Sequence, residues 1–398
     1  MEPYSRRLKL IIERVVHRGW GLSRVAGKAV FVPAVIPGET VECELIEDRP
    51  TYARAKLRNI IMPSPHRVAP ACASCPACGG CSFLHIAYPH QLELKTGILL
   101  ETLSRLGKIV PGKNLEKIIP APSPLHYRSR LRFHLRSGRL GFKAFEGSEL
   151  VEITDCLLAR PELAGAMPAL KDLARERKAE KELELDLNPE TGKIHAILSG
   201  REKKFYLLEQ GKFHKVSPPK KEFLALMAFS QANPEQNQTL RALAAEMAQA
   251  FSGRRGLELF AGAGNLSFAL AQKLERLVAV ELNLRAVQLA EMLRQEQKAD
   301  HIQFVAAGAE SYLQRCLKSG EKFGLVALDP PRTGAKKEIP FLIKLSPQAV
   351  IYISCEPATL ARDLRMLLDA GYELVRMVPL DLFPQTYHLE TITLLRKA

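Results

Sequence analysis

From Gly256 to the C-terminus, short apolar runs alternate with stretches of helical character, and few architectures accept that pattern. The runs LELF, LVAVEL, IQFVAA, GLVALD and AVIYIS are separated by predicted helices after Asn265 and over 284–298, 336–345 and 357–370. Strands that alternate with helices predict a mostly parallel, doubly wound sheet, and a ligand of such a sheet sits outside the carboxyl ends of its strands. The residues at those ends are therefore the first candidates for chemistry. The first strand runs into Phe260-Ala261-Gly262-Ala263-Gly264-Asn265, where glycines let a ligand approach the backbone. Glu281 ends the next strand, where an acid can bind ribose hydroxyls. Ser267 occupies the third position of the dinucleotide fingerprint, which weakens a nicotinamide reading and favours an adenosyl cofactor. Asp329-Pro330-Pro331-Arg332 ends a further strand. Cys355 tops another, at or near a helix N-terminus, where the dipole lowers a thiol pKa. Alone, such a cysteine is filler more often than nucleophile. Glu390, leading into ITLLR, is either a rim residue or a general base.

The other two thirds read differently. Residues 7–62 alternate β-rich runs with turns, as in a small OB-like barrel of about five strands, which either binds oligonucleotides or serves as an inert module. Cys72, Cys75, Cys78 and Cys81 follow in a C-x2-C-x2-C-x2-C run, a spacing that suits zinc or an iron–sulfur cluster. Cys43 and Cys316 lack such company and read as packing residues. Between Leu125 and Lys143 there are six positive charges and no acid. Arg128, Arg130 and Arg132 recur at every second position, so one strand would present all three on one face and Leu131, Phe133 and Leu135 on the other. That stripe reads as a phosphate contact or a solvated face. Residues 170–184 read as an exposed, salt-bridge-laced helix.

The 57 Lys and Arg against 43 Asp and Glu leave a formal charge of +14, which favours a polyanionic partner, with nucleic acid foremost. The charged opening MEPYSRRLKL has no apolar signal core, and no stretch reads as a membrane span. Eight cysteines without a secretory signal point to thiols or metal ligands rather than disulfides, and hence to a cytoplasmic location.

Taken together, these features resemble the RNA uracil-5-methyltransferases, which make 5-methyluridine in ribosomal and transfer RNA with S-adenosylmethionine. The likeness covers nearly the whole chain. It runs through the barrel, similar to a TRAM domain, the cysteine loop with Cys78-Gly79-Gly80-Cys81 and then His85, Tyr88, Gln91 and Lys95, and Tyr127-Arg128. It continues through Ile153-Thr154-Asp155-Cys156, Phe229-Ser230-Gln231-Ala232-Asn233, the glycine turn, Asp329-Pro330-Pro331-Arg332, Ser354-Cys355-Glu356-Pro357-Ala358-Thr359 and His388-Leu389-Glu390-Thr391. The resemblance implies an α/β multidomain protein: a TRAM-like barrel over 1–62, a central α+β cluster-bearing unit over 63–230, and a Rossmann-like methyltransferase domain over 231–398. It implies Cys355 as nucleophile, Glu390 as general base, and Gln231, Phe260, Gly262, Gly264, Asn265, Glu281, Gly308 and Asp329 around S-adenosylmethionine. Cys72, Cys78, Cys81 and the distant Cys156 would hold a 4Fe-4S cluster, with Cys75 spare. Arg128, Arg130 and Arg132 would contact RNA, ribosomal in the first instance and transfer RNA as the alternative, and the chain would act as a monomer. Methylation of another base and a noncatalytic iron–sulfur RNA-binding protein are the competing readings.

Overall fold

The computed structural model describes residues 7–176, 181–188, 191–199 and 202–398, and these build three sheets. The first has six strands, in the order Arg7–Ile11, Thr40–Asp48, Tyr52–Met62, Lys28–Val32, Trp20–Val25 and Arg14–Val16. Period-two alternation turns Leu10, Val30, Val32, Val41, Ala53 and Ala55 into one core, and Cys43 is buried there as a packing residue.

The second sheet is antiparallel and has seven strands, from Arg130–Arg136 to Lys212–Val216 in the chain. Helix Pro161–Arg175 covers it, packing Leu163, Met167 and Leu170 on Leu131, Phe133 and Leu135. The helix expected over 170–184 is thus corrected: the helix begins earlier and ends at Arg175, Lys181–Leu187 is a strand, and residues 177–180 lie outside the described residues. In KELELDL the leucines alternate with charges, and this period of two outweighs the helix-like charge spacing because Leu183, Leu185 and Leu187 all find a core.

That strand also changes the arginine row. Leu131, Phe133 and Leu135 point inward as expected, but Arg128 precedes the strand and lies in an isolated bridge with Ala159. The Nε of Arg130 donates to Asp186 at 2.5 Å, and Arg132 donates to Glu184 at 3.2 Å. Two of the three charges are thus answered by carboxylates of the neighbouring strand, and no uniform basic stripe forms.

The third sheet contains β1 (Arg255–Leu259), β2 (Arg276–Glu281), β3 (Ile302–Ala306), β4 (Leu325–Leu328), β5 (Ala349–Ser354), β6 (Tyr372–Leu380) and β7 (Glu390–Lys397). Their order is β3-β2-β1-β4-β5-β7-β6, with β7 antiparallel to both neighbours and the others parallel. Helices cover both faces, each over its own apolar core. One helix, Ala309–Ser319, joins those legible in the sequence; Cys316 is buried there.

Residues 63–230 do not share one core. Helix Tyr88–Thr102 buries Leu99 with Leu360, Leu364 and Leu367 of the third unit, and Leu115 and Ile119 bridge to Met377 and Leu380 on β6. The cysteine-rich loop therefore hands the chain directly to the sheet that carries Cys355. Among the described residues no helix is long and apolar enough to cross a membrane.

Candidate active site

The carboxyl edge of the third sheet gathers the sequence-predicted residues. After β1 the chain reverses sharply, with Phe260, Gly262 and Gly264 all at positive φ (63°, 57° and 87°). A Cβ on Gly264 would lie 2.9 Å from Phe268 and 3.0 Å from Phe304, so both backbone conformation and space require glycine there. Glu281 fastens this turn: its carboxylate accepts from Gly262 N at 2.9 Å and Asn283 N at 2.7 Å. Asn265 exchanges amide hydrogen bonds with Asn237, both 2.9 Å. Gln231 is half-buried just before helix Pro234–Ala248, and Gly308 caps helix Ala309–Ser319.

Asp329 follows β4, and burial pushes its carboxyl up to about 6. Glu258, inside β1, was not singled out from the sequence, although an acid within an apolar strand was a signal. Burial raises it to about 8, against the opposing hydrogen bond that Ser267 Oγ donates at 2.5 Å.

Strand register brings Cys355 and Glu390 together. Ser354 pairs with Thr391 across the antiparallel β5–β7 ladder, so the next positions, Cys355 and Glu390, face one another. The cysteine lies between the end of β5 and helix Pro357–Asp369, whose N-terminus is capped by the Glu356 side chain. Glu390 is 3% exposed, and its Oε1 has no hydrogen-bond partner. Burial raises its pKa well above the ordinary carboxylate value, Asp329 adds to the rise, and Arg332 opposes it. A carboxyl held this way is a stronger base than a solvated one.

Burial, Glu390 and Asp329 push the Cys355 thiol up to about 11, while Arg332 pulls it down. The helix N-terminus therefore does not by itself produce a free-enzyme thiolate. Arg332 and His388, quoted from the sequence without roles, complete the site: the guanidinium lies 3.4 Å from His388 Nε2, and Thr359 Oγ1 donates to the Arg332 carbonyl at 3.2 Å. Burial and Arg332 push His388 down to about 3, so the imidazole is neutral. One consequence is measurable by mass spectrometry. Iodoacetamide labelling of the Cys355 peptide is expected to rise about tenfold per pH unit between about pH 7 and pH 10, and to slow at fixed pH in Arg332→Gln. A pH-independent rate would contradict this electrostatic picture.

The cysteine-rich loop presses on the second sheet, with Cys78 bridging Ala144 and Gly79 N donating to Lys143 O at 2.9 Å. Cys72, Cys75, Cys78, Cys81, Cys156 and Arg128 line one cavity of about 590 Å³. Tyr387, beside His388, lines it too. Burial pushes Cys81 up to about 12, with Cys156, Cys78 and Cys72 adding to the rise and Arg128 opposing it. Cys75 is raised to about 11 by burial, with Cys72 and Cys78 adding to the rise and Arg67 opposing it. Among the described residues no three His, Cys, Asp or Glu side chains converge closely enough to hold a single metal ion.

Known proteins match this architecture. The family model described as tRNA (Uracil-5-)-methyltransferase matches residues 166–398. The chain belongs to the uracil-5-methyltransferase family of RNA enzymes. The TRAM domain model matches residues 6–57 of this family member, where the six-stranded sheet lies. The chain is 31% identical to a 23S rRNA (uracil(1939)-C(5))-methyltransferase, RlmD, of Aeromonas hydrophila, covering 98% of this chain and 96% of that protein. It is also 31% identical to an uncharacterized RNA methyltransferase of Aquifex aeolicus, covering 98% of each. The crystal structure of Pyrococcus abyssi tRNA (uracil-54, C5)-methyltransferase in complex with S-adenosyl-L-homocysteine shares the fold, with a TM-score of 0.73, 21% identity, and coverage of 97% of this chain and 99% of that one.

Proposed function

We propose that this uracil-5-methyltransferase acts on a uridine of 23S ribosomal RNA, with Cys355 as nucleophile, Glu390 as general base and S-adenosylmethionine as methyl donor. The observation that carries the proposal is the β5–β7 register, in which a half-buried thiol comes opposite a buried carboxyl with an unpartnered oxygen, beside Arg332. An amine methylation needs no such pair. Gln231, Phe260, Gly262, Gly264, Asn265, Glu281, Gly308 and Asp329 would surround the donor. The fit rests on the glycine turn, which leaves backbone open to a ligand, and on Glu281, whose carboxylate already joins two loops at the ribose position.

C5 of uracil is a weak nucleophile, and covalent addition overcomes this. Cys355 gives its proton to solvent, favoured by the neighbouring Arg332 guanidinium, the thiolate adds to C6, and the C5=C6 electrons pass into an enolate. S-adenosylmethionine, when bound, would supply an electrophilic methyl group to C5 and leave as S-adenosylhomocysteine. Glu390 then removes the C5 proton, the C5=C6 bond re-forms, and Cys355 leaves as thiolate. The base must reach a thiol at the sheet edge, which requires flipping it from its stack at roughly a few kcal/mol.

The ribosomal target draws support from the RlmD relatives of matching length. Incubating the enzyme with methyl-labelled S-adenosylmethionine and separate 23S and transfer RNA transcripts tests it. Label confined to 23S RNA is expected; label confined to transfer RNA would move the assignment to the thymine loop.

Cys72, Cys78, Cys81 and Cys156 fit a 4Fe-4S cluster. All four line one cavity of about 590 Å³, together with Cys75. The choice of Cys156 over Cys75 follows the family resemblance. The cluster's role would be to tie Cys156 to the cysteine-rich loop. Cys156→Ser is expected to lose most bound iron, measured by metal analysis and absorbance after anaerobic purification, and Cys75→Ser to retain it; the reverse would make Cys75 a ligand. Of the three arginines proposed to contact RNA, Arg132 is the most exposed although it pairs with Glu184, Arg130 is tied to Asp186, and Arg128 and Arg132 both line the cysteine cavity. The enzyme is proposed to work as a cytoplasmic monomer.

A further inference from the structure

The loop Asp381–Leu389 joins β6 to β7, holds His388 against Arg332, and delivers Glu390 opposite Cys355. Its anchors come from far away in the chain. Gln91, fully buried in helix Tyr88–Thr102, donates from Nε2 to Gln385 Oε1 at 2.8 Å and accepts Gln385 N on Oε1 at 3.0 Å. The same amide donates to Ile86 O at 2.8 Å and Phe83 O at 3.1 Å, so it is spent on two backbones at once. One helical turn later, buried Lys95 donates to Asp381 Oδ1 at 2.5 Å and Phe383 O at 3.0 Å. The residues just after Cys81 close the clamp: Phe83 N donates to Gln385 O at 3.0 Å, and Ser82 Oγ accepts Tyr387 N at 2.9 Å.

A buried ion pair adds little net stability over an apolar pair, and here Asp381 Oδ2 is left without a partner. What these groups do supply is geometry: four of the bonds fix backbone groups of the loop that ends at the base, at Phe383, Gln385 and Tyr387. We propose that Gln91 and Lys95, with Ser82, are positioning residues for Glu390, and that they couple the cysteine-rich loop mechanically to proton removal. This rests on the reading of Glu390 as base.

The test uses cluster-containing full-length enzyme, unmodified 23S RNA and S-adenosylmethionine, with denaturing gels to detect RNA–protein adduct at steady state. Glu390→Gln serves as the reference. Gln91→Leu is expected to slow turnover at least about tenfold, to change the S-adenosylmethionine dissociation constant less than about twofold, and to accumulate adduct as Glu390→Gln does. A smaller effect in the same direction is expected for Ser82→Ala, with Ser82→Thr restoring turnover. Adduct trapped by Glu390→Gln but by neither Gln91→Leu nor Ser82→Ala would overturn the positioning role alone. Absence of adduct in Glu390→Gln itself would overturn the base and the positioning role with it. If Gln91→Leu fails to fold, the Ser82 pair decides.

Discussion

Replacing Cys355 by alanine is expected to reduce methylation by more than about 10⁴-fold while leaving S-adenosylmethionine binding within about twofold of wild type. The size of the loss follows from the chemistry of the ring: without addition at C6, C5 has no enolate with which to take the methyl group. The binding is spared because Cys355 lies after β5, whereas the glycine turn and Glu281 lie after β1 and β2 on the far side of β4. Isothermal titration with S-adenosylhomocysteine and a methyl-transfer assay separate the two effects. Methylation at more than about a hundredth of the wild-type rate would mean that another group activates the ring.

Glu390→Gln is expected to stop the reaction one step later. Thiol addition and methyl transfer proceed, the C5 proton stays, and enzyme and RNA remain joined. Turnover is expected to fall by about 10²–10⁴-fold, the range for loss of a general acid–base group, with an RNA–protein complex visible under denaturing conditions. Glutamine keeps the shape of the buried side chain, so addition itself is not impeded. Free methylated product released at the wild-type rate would assign the proton transfer to another group.

These two residues show how far the sequence could be followed. The strands and helices of the third sheet were legible because continuous apolar runs there are punctuated by glycine, proline and capping residues, and the candidate groups end those runs. That Cys355 faces Glu390 was not legible from spacing, since antiparallel register between β5 and β7 creates the juxtaposition. Strand-end position made both residues candidates, and resemblance to the family gave them their roles.

The central unit shows the opposite case, where one misread element hid the partners of a charged row. Reading 181–184 as helix removed a strand from the sheet, and with it Glu184 and Asp186, the carboxylates that occupy Arg132 and Arg130. A row of arginines reads as a uniform basic stripe until the neighbouring strand is in place. Helix Tyr88–Thr102 poses a similar difficulty, because local pattern marks its apolar residues without saying which core receives them. Its buried polar pair, Gln91 and Lys95, gains meaning only once the loop before Glu390 lies against it.

The covalent mechanism at Cys355 is tested most directly with RNA carrying 5-fluorouridine. Fluorine at C5 leaves no proton for Glu390 to remove, so addition and methyl transfer end in an adduct that cannot collapse. Enzyme loaded with cluster and S-adenosylmethionine is predicted to form a denaturation-stable complex, with the RNA attached at the Cys355 peptide and its sequence giving the target uridine. Loaded enzyme that methylates ordinary RNA yet forms no adduct, or one that maps to another residue, would contradict the account.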